Sequence, residues 1–207
     1  MASFKDYLFI AFLWAAYCTL HSYLISIAFT NLMMRKLKKY YAFYRIFYVL
    51  LSFVLLIPLI NYSGQIDDKV IIVYSHAMSV VRYALAWGSV GMFAWAFFFN
   101  YNALSFFGIR QILNLNKEKD KSADGELKRN GLLGVMRHPM YFALLLFLWC
   151  HTFRMLDIIV NIVLTIYIII GTRLEERKLI LEFGETYIGY KDEVPMLIPF
   201  TKSKRKK

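Results

Sequence analysis

Cysteine is nearly missing from this chain, with two in 207 residues. Cys18 and Cys150 both fall inside apolar stretches, where a free thiol behaves as a small hydrophobe, so neither a disulfide framework nor a metal cluster follows from them. Charged residues are also scarce, at 19% against 59% hydrophobic, and with a mean hydropathy of +0.47 this excludes an ordinary soluble domain. The chain is expected to be an integral membrane protein. Its formal net charge is +11, yet no basic stripe is interleaved with readout residues, which argues against nucleic acid as a partner. The bases stand instead in short runs between apolar segments, as in loops that face an anionic cytoplasmic leaflet. Met1 to Asp6 lacks a basic region leading into a short apolar core and a small-residue cleavage site, so the first apolar segment is expected to be kept as a span. There is no internal repeat and no stretch that reads as a separate soluble domain.

What is present is an all-α pattern of about five transmembrane helices and a cytoplasmic helical tail, read as a single membrane domain over 1–207. The three-span part, 1–130, begins with Tyr7 to Met34, long enough to cross with some tilt. His21 and Ser22 lie near its middle. His21 reads either as a histidine hydrogen-bonded to a neighbouring helix or as a group beside a substrate channel. Arg35 to Arg45 carries five bases and no acid, which places it inside. Tyr44 to Tyr62 returns to an outer loop with a turn at Gly64 and the pair Asp67-Asp68. The third span, Ala77 to Phe99, holds Gly88 and Gly91 for close helix approach, and Arg82 is expected to snorkel to the interface. Asn100 to Asn116 reads as an interfacial amphipathic stretch and Lys117 to Arg129 as a charged surface loop on the basic side.

The part from 131 to 207 carries the chemistry. Gly131 to Tyr141 ends in Arg137-His138-Pro139-x-Tyr141, which puts a guanidinium, an imidazole and a phenol at the mouth of an apolar run. Pro139 suits a first helical turn, where its missing N–H costs nothing. His138 and Tyr141, three apart, share a helical face and can point at one ligand. Polar and charged groups at membrane depth are expensive and are functional by default. Pro139 to Phe153 and Leu156 to Thr172 should form a tight antiparallel hairpin, followed by a tail from Arg173 to Lys207. Glu175 and Glu176 stand where that span would leave the membrane, either as a solvated helix start or as groups that need partners. Leu179, Phe183, Tyr187 and Tyr190 recur at helical spacing and read as a packing stripe.

Taken together, Arg137-His138-Pro139-x-Tyr141, the apolar hairpin, Glu175-Glu176-x-x-Leu179, Phe183-Gly184-x-x-Tyr187-x-x-Tyr190, Val194-Pro195 and Ile198-Pro199 resemble the isoprenylcysteine carboxyl methyltransferase and phospholipid methyltransferase superfamily. Upstream, His21-Ser22, Tyr44-Arg45-x-x-Tyr48-x-x-x-Ser52 and Phe107-Gly108-Ile109-Arg110-Gln111 look like the branch that contains the NnrU proteins and the methanethiol S-methyltransferases.

The resemblance implies a multi-pass enzyme that binds S-adenosylmethionine between the C-terminal hairpin and the tail, with membrane lipids around it. It places Arg137, His138, Pro139, Tyr141, Glu175 and Glu176 at the cofactor. Arg137 would pair with the carboxylate of the methyl donor, and Glu175 or Glu176 with its ammonium or ribose hydroxyls. His138, Glu176 and His21 are the catalytic candidates, and His21 or His138 would serve as base if the acceptor is a thiol. No Gly-x-Gly-x-x-Gly fingerprint follows a strand, so a Rossmann-type methyltransferase is excluded on pattern. The acceptor favoured is a small apolar thiol such as methanethiol. A prenylcysteine carboxylate, a phospholipid amine and a non-enzymatic NnrU-like role stand as alternatives. The choice rests on the upstream matches and on aromatic residues of the third and fourth spans, Trp87, Phe93, Trp95 and Phe147 among them, which would narrow a pocket if they do not simply face lipid.

Overall fold

A computed structural model describes residues 2–100, 107, 109–113, 127, 129–151 and 153–201. Most of the Lys117 to Arg129 loop, much of the Asn100 to Asn116 stretch and the terminal Lys202 to Lys207 lie outside the described residues. The helices are α1 (Phe4–Leu24), α2 (Ile27–Leu37), α3 (Tyr44–Gln65), α4 (His76–Trp95), the short α5 (Ile109–Leu113), α6 (Pro139–Leu148), α7 (Met155–Phe183) and α8 (Glu185–Glu193). A two-stranded antiparallel pairing of β1 (Val70–Ile72) with β2 (Phe153–Arg154) is the sheet among the described residues. The all-α polytopic reading holds: four helical runs, Phe4–Leu24, Ile27–Gln65, His76–Phe99 and Met155–Phe183, are long and apolar enough to cross a membrane. Their surfaces agree, since Val54, Val80, Trp87 and Phe98 all stand more than 60% exposed, an outward apolar band that only lipid covers without cost.

Several expected boundaries shift. The first segment is not one helix to Met34: α1 stops at Leu24, and Ser26 starts α2 by accepting the Phe29 N–H at 3.3 Å, as a serine N-cap does. Gly64 makes no turn and lies inside α3, which runs on to Gln65. The fourth segment ends at Leu148, and ten residues at 1.5 Å rise cover about half of a hydrocarbon core. The fifth does not end at Thr172, because α7 continues to Phe183 and carries Glu175 and Glu176 in mid-helix. The chain reverses only at Gly184, whose φ of +55° suits a residue without a Cβ.

The chain divides into two compact units. One comprises Met1–Val73, Ala103–Lys119 and Thr152–Tyr167, the other Tyr74–Asn102, Asp120–His151 and Ile168–Lys207. In the first, Ile10 and Trp14 of α1, Leu59 of α3, and Leu156 and Val160 of α7 form the core. The Trp14 indole donates to Ser63 Oγ at 3.0 Å, satisfying the one polar atom that the ring buries. Asp68 ties three elements together by accepting the Tyr7 hydroxyl (2.7 Å), the Lys69 N–H (2.9 Å) and the Leu156 N–H at the start of α7 (2.8 Å). In the second unit α4 packs along α6, and Tyr187, Tyr190 and Val194 close against Leu179, Ile180 and Phe183.

Candidate functional site

Local sequence sets the framework of the second unit's polar centre. Pro139 occupies the first turn of α6 and holds His138 out of the helix at φ −127° and ψ 64°. Before it, Gly131 takes φ +63° into a tight turn, Gly131–Gly134. The Arg137 and His138 N–H groups then donate to the carbonyls of Pro195 (2.9 Å) and Met196 (3.1 Å). The tail is therefore stitched to the start of α6 through the main chain as well as through side chains.

Arg137 is 8% exposed and Glu176 5%. Glu176 Oε1 takes Arg137 Nε at 2.6 Å and Nη2 at 2.5 Å, while Lys191 Nζ stands 3.3 Å from Oε2. Arg137 Nη1 also donates to the carbonyls of Lys191 (3.0 Å) and Val194. A buried ion pair persists only when its remaining donors and acceptors are met, and here they are. The guanidinium expected to greet a ligand carboxylate is instead spent on partners within the chain, so its position makes it the clamp of the site.

His138 is 2% exposed, its Nε2 lies 3.4 Å from Glu176 and its Nδ1 3.8 Å from Glu175, and neither nitrogen is aligned for a hydrogen bond. Glu175 Oε2 and the Tyr187 hydroxyl are likewise buried with no hydrogen-bond partner. Tyr141 lies against His138, with ring centroids 5.6 Å apart and planes 22° from parallel. Buried polar atoms nearly always make a hydrogen bond, and four that make none stand around this one ion pair. The phenols beside it are pushed up by burial, Tyr190 to about 12; Tyr190 donates to the Leu133 carbonyl at 2.6 Å.

The second unit thus brings Arg137, His138, Pro139, Tyr141, Glu175 and Glu176 into one neighbourhood. His21 belongs to the first unit. There its Nε2 lies 2.6 Å from the Tyr48 hydroxyl and its Nδ1 3.2 Å from Ser52 Oγ, with the rings of Tyr17, Tyr48 and Tyr167 around it. A narrow crevice beside it is lined by Leu20, Leu24, Leu51 and Leu55. The neighbouring-helix reading of His21 is what its hydrogen bonds describe. Lys191 and Tyr187 were missed as site residues. Their spacing of four puts them on one face of α8; Lys191 sits in no quoted motif, and Tyr187 sits in one that reads as a packing stripe. Of the aromatic residues expected to narrow a pocket, Trp87 and Trp95 are exposed, at 73% and 53%, and Phe97 and Phe142 are half-buried, so the two tryptophans give the substrate argument no support.

A buried cluster of this kind, in a chain so apolar, decides where to look for relatives. They are methanethiol S-methyltransferases. The protein of that name from Pseudomonas deceptionensis is 35% identical over 153 residues, 73% of this chain and 58% of the relative. Those from Crocosphaera subtropica (34% over 100 residues, 48% of this chain and 39% of the relative) and Bradyrhizobium diazoefficiens (methanethiol S-methyltransferase 1, 34% over 128 residues, 61% and 44%) are similar as well. The resemblance to the methanethiol S-methyltransferase branch read from the sequence therefore stands. The chain spans between 39% and 58% of the length of these three relatives. No protein-family model and no solved structure matches it.

Proposed function

We propose that the protein is a membrane-embedded, S-adenosylmethionine-dependent methyltransferase acting on a small apolar thiol such as methanethiol. The observation that carries this reading is the set of buried polar atoms on His138, Glu175 and Tyr187 that make no hydrogen bond, beside the Arg137–Glu176–Lys191 ion cluster. A methyl donor with a charged amino-acid end, hydroxyls and an adenine ring offers such atoms partners, and the names of the relatives favour methyl transfer to a thiol. When bound, it supplies the electrophilic methyl group.

The chain's own contribution is position and dryness. Arg137 and Glu176 fix the start of α6 against α7 and the tail, Tyr141 and His138 present flat faces, and burial keeps water out, which is what a displacement between two bound groups needs. His138 Nε2 or Nδ1 would hold the proton a thiol gives up, and His21 is the other candidate that the sequence offers for that role. The basic, cytoplasmic side proposed for the tail keeps the soluble donor's approach separate from a lipid-borne acceptor.

The test is calorimetry with S-adenosylmethionine on detergent-purified protein, followed by turnover with labelled donor. Faster methylation of methanethiol than of a farnesylcysteine analogue or phosphatidylethanolamine supports the reading. Turnover of either lipid with no thiol product replaces the acceptor, and an absence of donor binding leaves a non-enzymatic membrane protein.

A further inference from the structure

We propose that the hydroxyl of Tyr187 receives the α-carboxylate of the methyl donor's amino-acid end, a task the sequence would give to Arg137; this rests on the function proposed above. Tyr187 is 1% exposed and its hydroxyl has no hydrogen-bond partner. It sits on α8 four residues before Lys191, whose ammonium reaches Glu176 at 3.3 Å and whose carbonyl binds Arg137, so the phenol shares the helix face turned to the ion cluster. The charges of Glu176, Arg137 and Glu175 all act on it. Burial pushes its acidity down, and it therefore stays a donor.

The inventory of open groups selects the ligand chemistry. Arg137 donates through Nε, Nη1 and Nη2 to acceptors of the chain itself, and Glu176 accepts from Arg137 on one oxygen with Lys191 at the other. What remains buried without a hydrogen bond is one carboxylate oxygen on Glu175, one phenol donor on Tyr187 and the two nitrogens of His138, the last standing 3.4 Å from Glu176 and 3.8 Å from Glu175. An acceptor for a cation and a donor for an anion complement an α-amino acid zwitterion, the ammonium toward Glu175 and the carboxylate toward Tyr187. Charge agrees: two cations, Arg137 and Lys191, stand with two carboxylates, Glu175 and Glu176, so the site takes a net-neutral end group without stranding a buried charge.

The experiment compares S-adenosylmethionine with its decarboxylated analogue by calorimetry, on the full chain and on Tyr187→Phe. Phenylalanine keeps the ring that packs with Tyr190, Val194 and Phe183. The wild type should bind the analogue at least about tenfold more weakly, and Tyr187→Phe should lower affinity for S-adenosylmethionine by a similar factor while leaving the analogue unchanged. Equal losses for both ligands, or no loss for either, overturn the assignment. Should the variant fail to fold, equal wild-type affinity for the two ligands overturns it alone. Failure of the wild type to bind S-adenosylmethionine overturns the methyltransferase reading and this assignment with it, a result distinct from a variant that treats both ligands alike.

Discussion

The carboxylate of Glu176 accepts the Nε–H of Arg137 at 2.6 Å, with both side chains 7% exposed. Removing either partner takes from the other its principal counter-charge in a buried site, which costs up to about 5 kcal/mol, less what Lys191 or the tail carbonyls make good. Arg137→Ala and Glu176→Ala should each lower the thermal midpoint in detergent sharply, and the double variant should lose much less than the sum. Strictly additive losses would mean that the two side chains do not act as a pair. Arg137→Lys should rescue little, since an ammonium cannot span Glu176 and two carbonyls in one plane.

His21 and Tyr48 yield a separate prediction. Tyr48→Phe removes the hydroxyl that reaches His21 Nε2 at 2.6 Å and Nδ1 at 3.1 Å and should cost about 1 kcal/mol of stability while leaving donor affinity unchanged. If His21 is the base for the acceptor, His21→Asn should lower the turnover number with the donor Kd intact, as stopped-flow kinetics and calorimetry together would register. A variant that turns over normally removes His21 from the chemistry.

Stability should fall in acid through Asp68. Burial raises its carboxyl, but the Leu156 N–H, the Tyr7 hydroxyl and the Lys69 N–H outweigh that and hold it below the ordinary aspartate range. A depressed folded value means that the contribution is complete above the unfolded value of about 4 and is lost as pH falls through the folded one. Melting curves taken below pH 4 should decline, and Asp68→Asn should flatten that decline while lowering the midpoint at neutral pH.

Sidedness can be read with two engineered thiols. Val73 and Phe200 are 78% and 90% exposed, whereas the native Cys18 and Cys150 are buried. The distribution of bases predicts that Val73→Cys labels from outside and Phe200→Cys from the cytoplasm. With four long helices and the short Pro139–Leu148, labelling of both from one side would mean that the short segment does not complete a crossing.

The residues that could be read in advance are those whose local chemistry is one-sided. Pro139 after a polar pair and before an apolar run suits the first turn of a helix, and Arg137, His138 and Glu176 are too polar for their surroundings to be there by chance. Tyr187 could not be read, because Leu179, Phe183 and Tyr190 beside it do pack, and only the tertiary fold decides whether a phenol meets an acceptor. Nor could the continuation of α7 past Thr172 be read. Arg173, Glu175, Glu176 and Arg177 look like an exit from the bilayer, but good helix formers extend a helix as readily in water as in lipid. Trp87 and Trp95 misled for the opposite reason, since a lipid-facing aromatic and a core aromatic have the same composition.

The clamp has a consequence for biosynthesis. Arg137 leaves the ribosome 39 residues before Glu176 and 57 before the carbonyl of Val194, an interval on the order of seconds at ordinary elongation rates. Until Glu176 emerges, the guanidinium lacks the carboxylate that it meets in the folded unit, and until Val194 emerges it lacks a carbonyl partner as well. Closure of this unit therefore has to wait for the tail, and a nascent chain that stalls short of Glu176 keeps its arginine without that counter-ion.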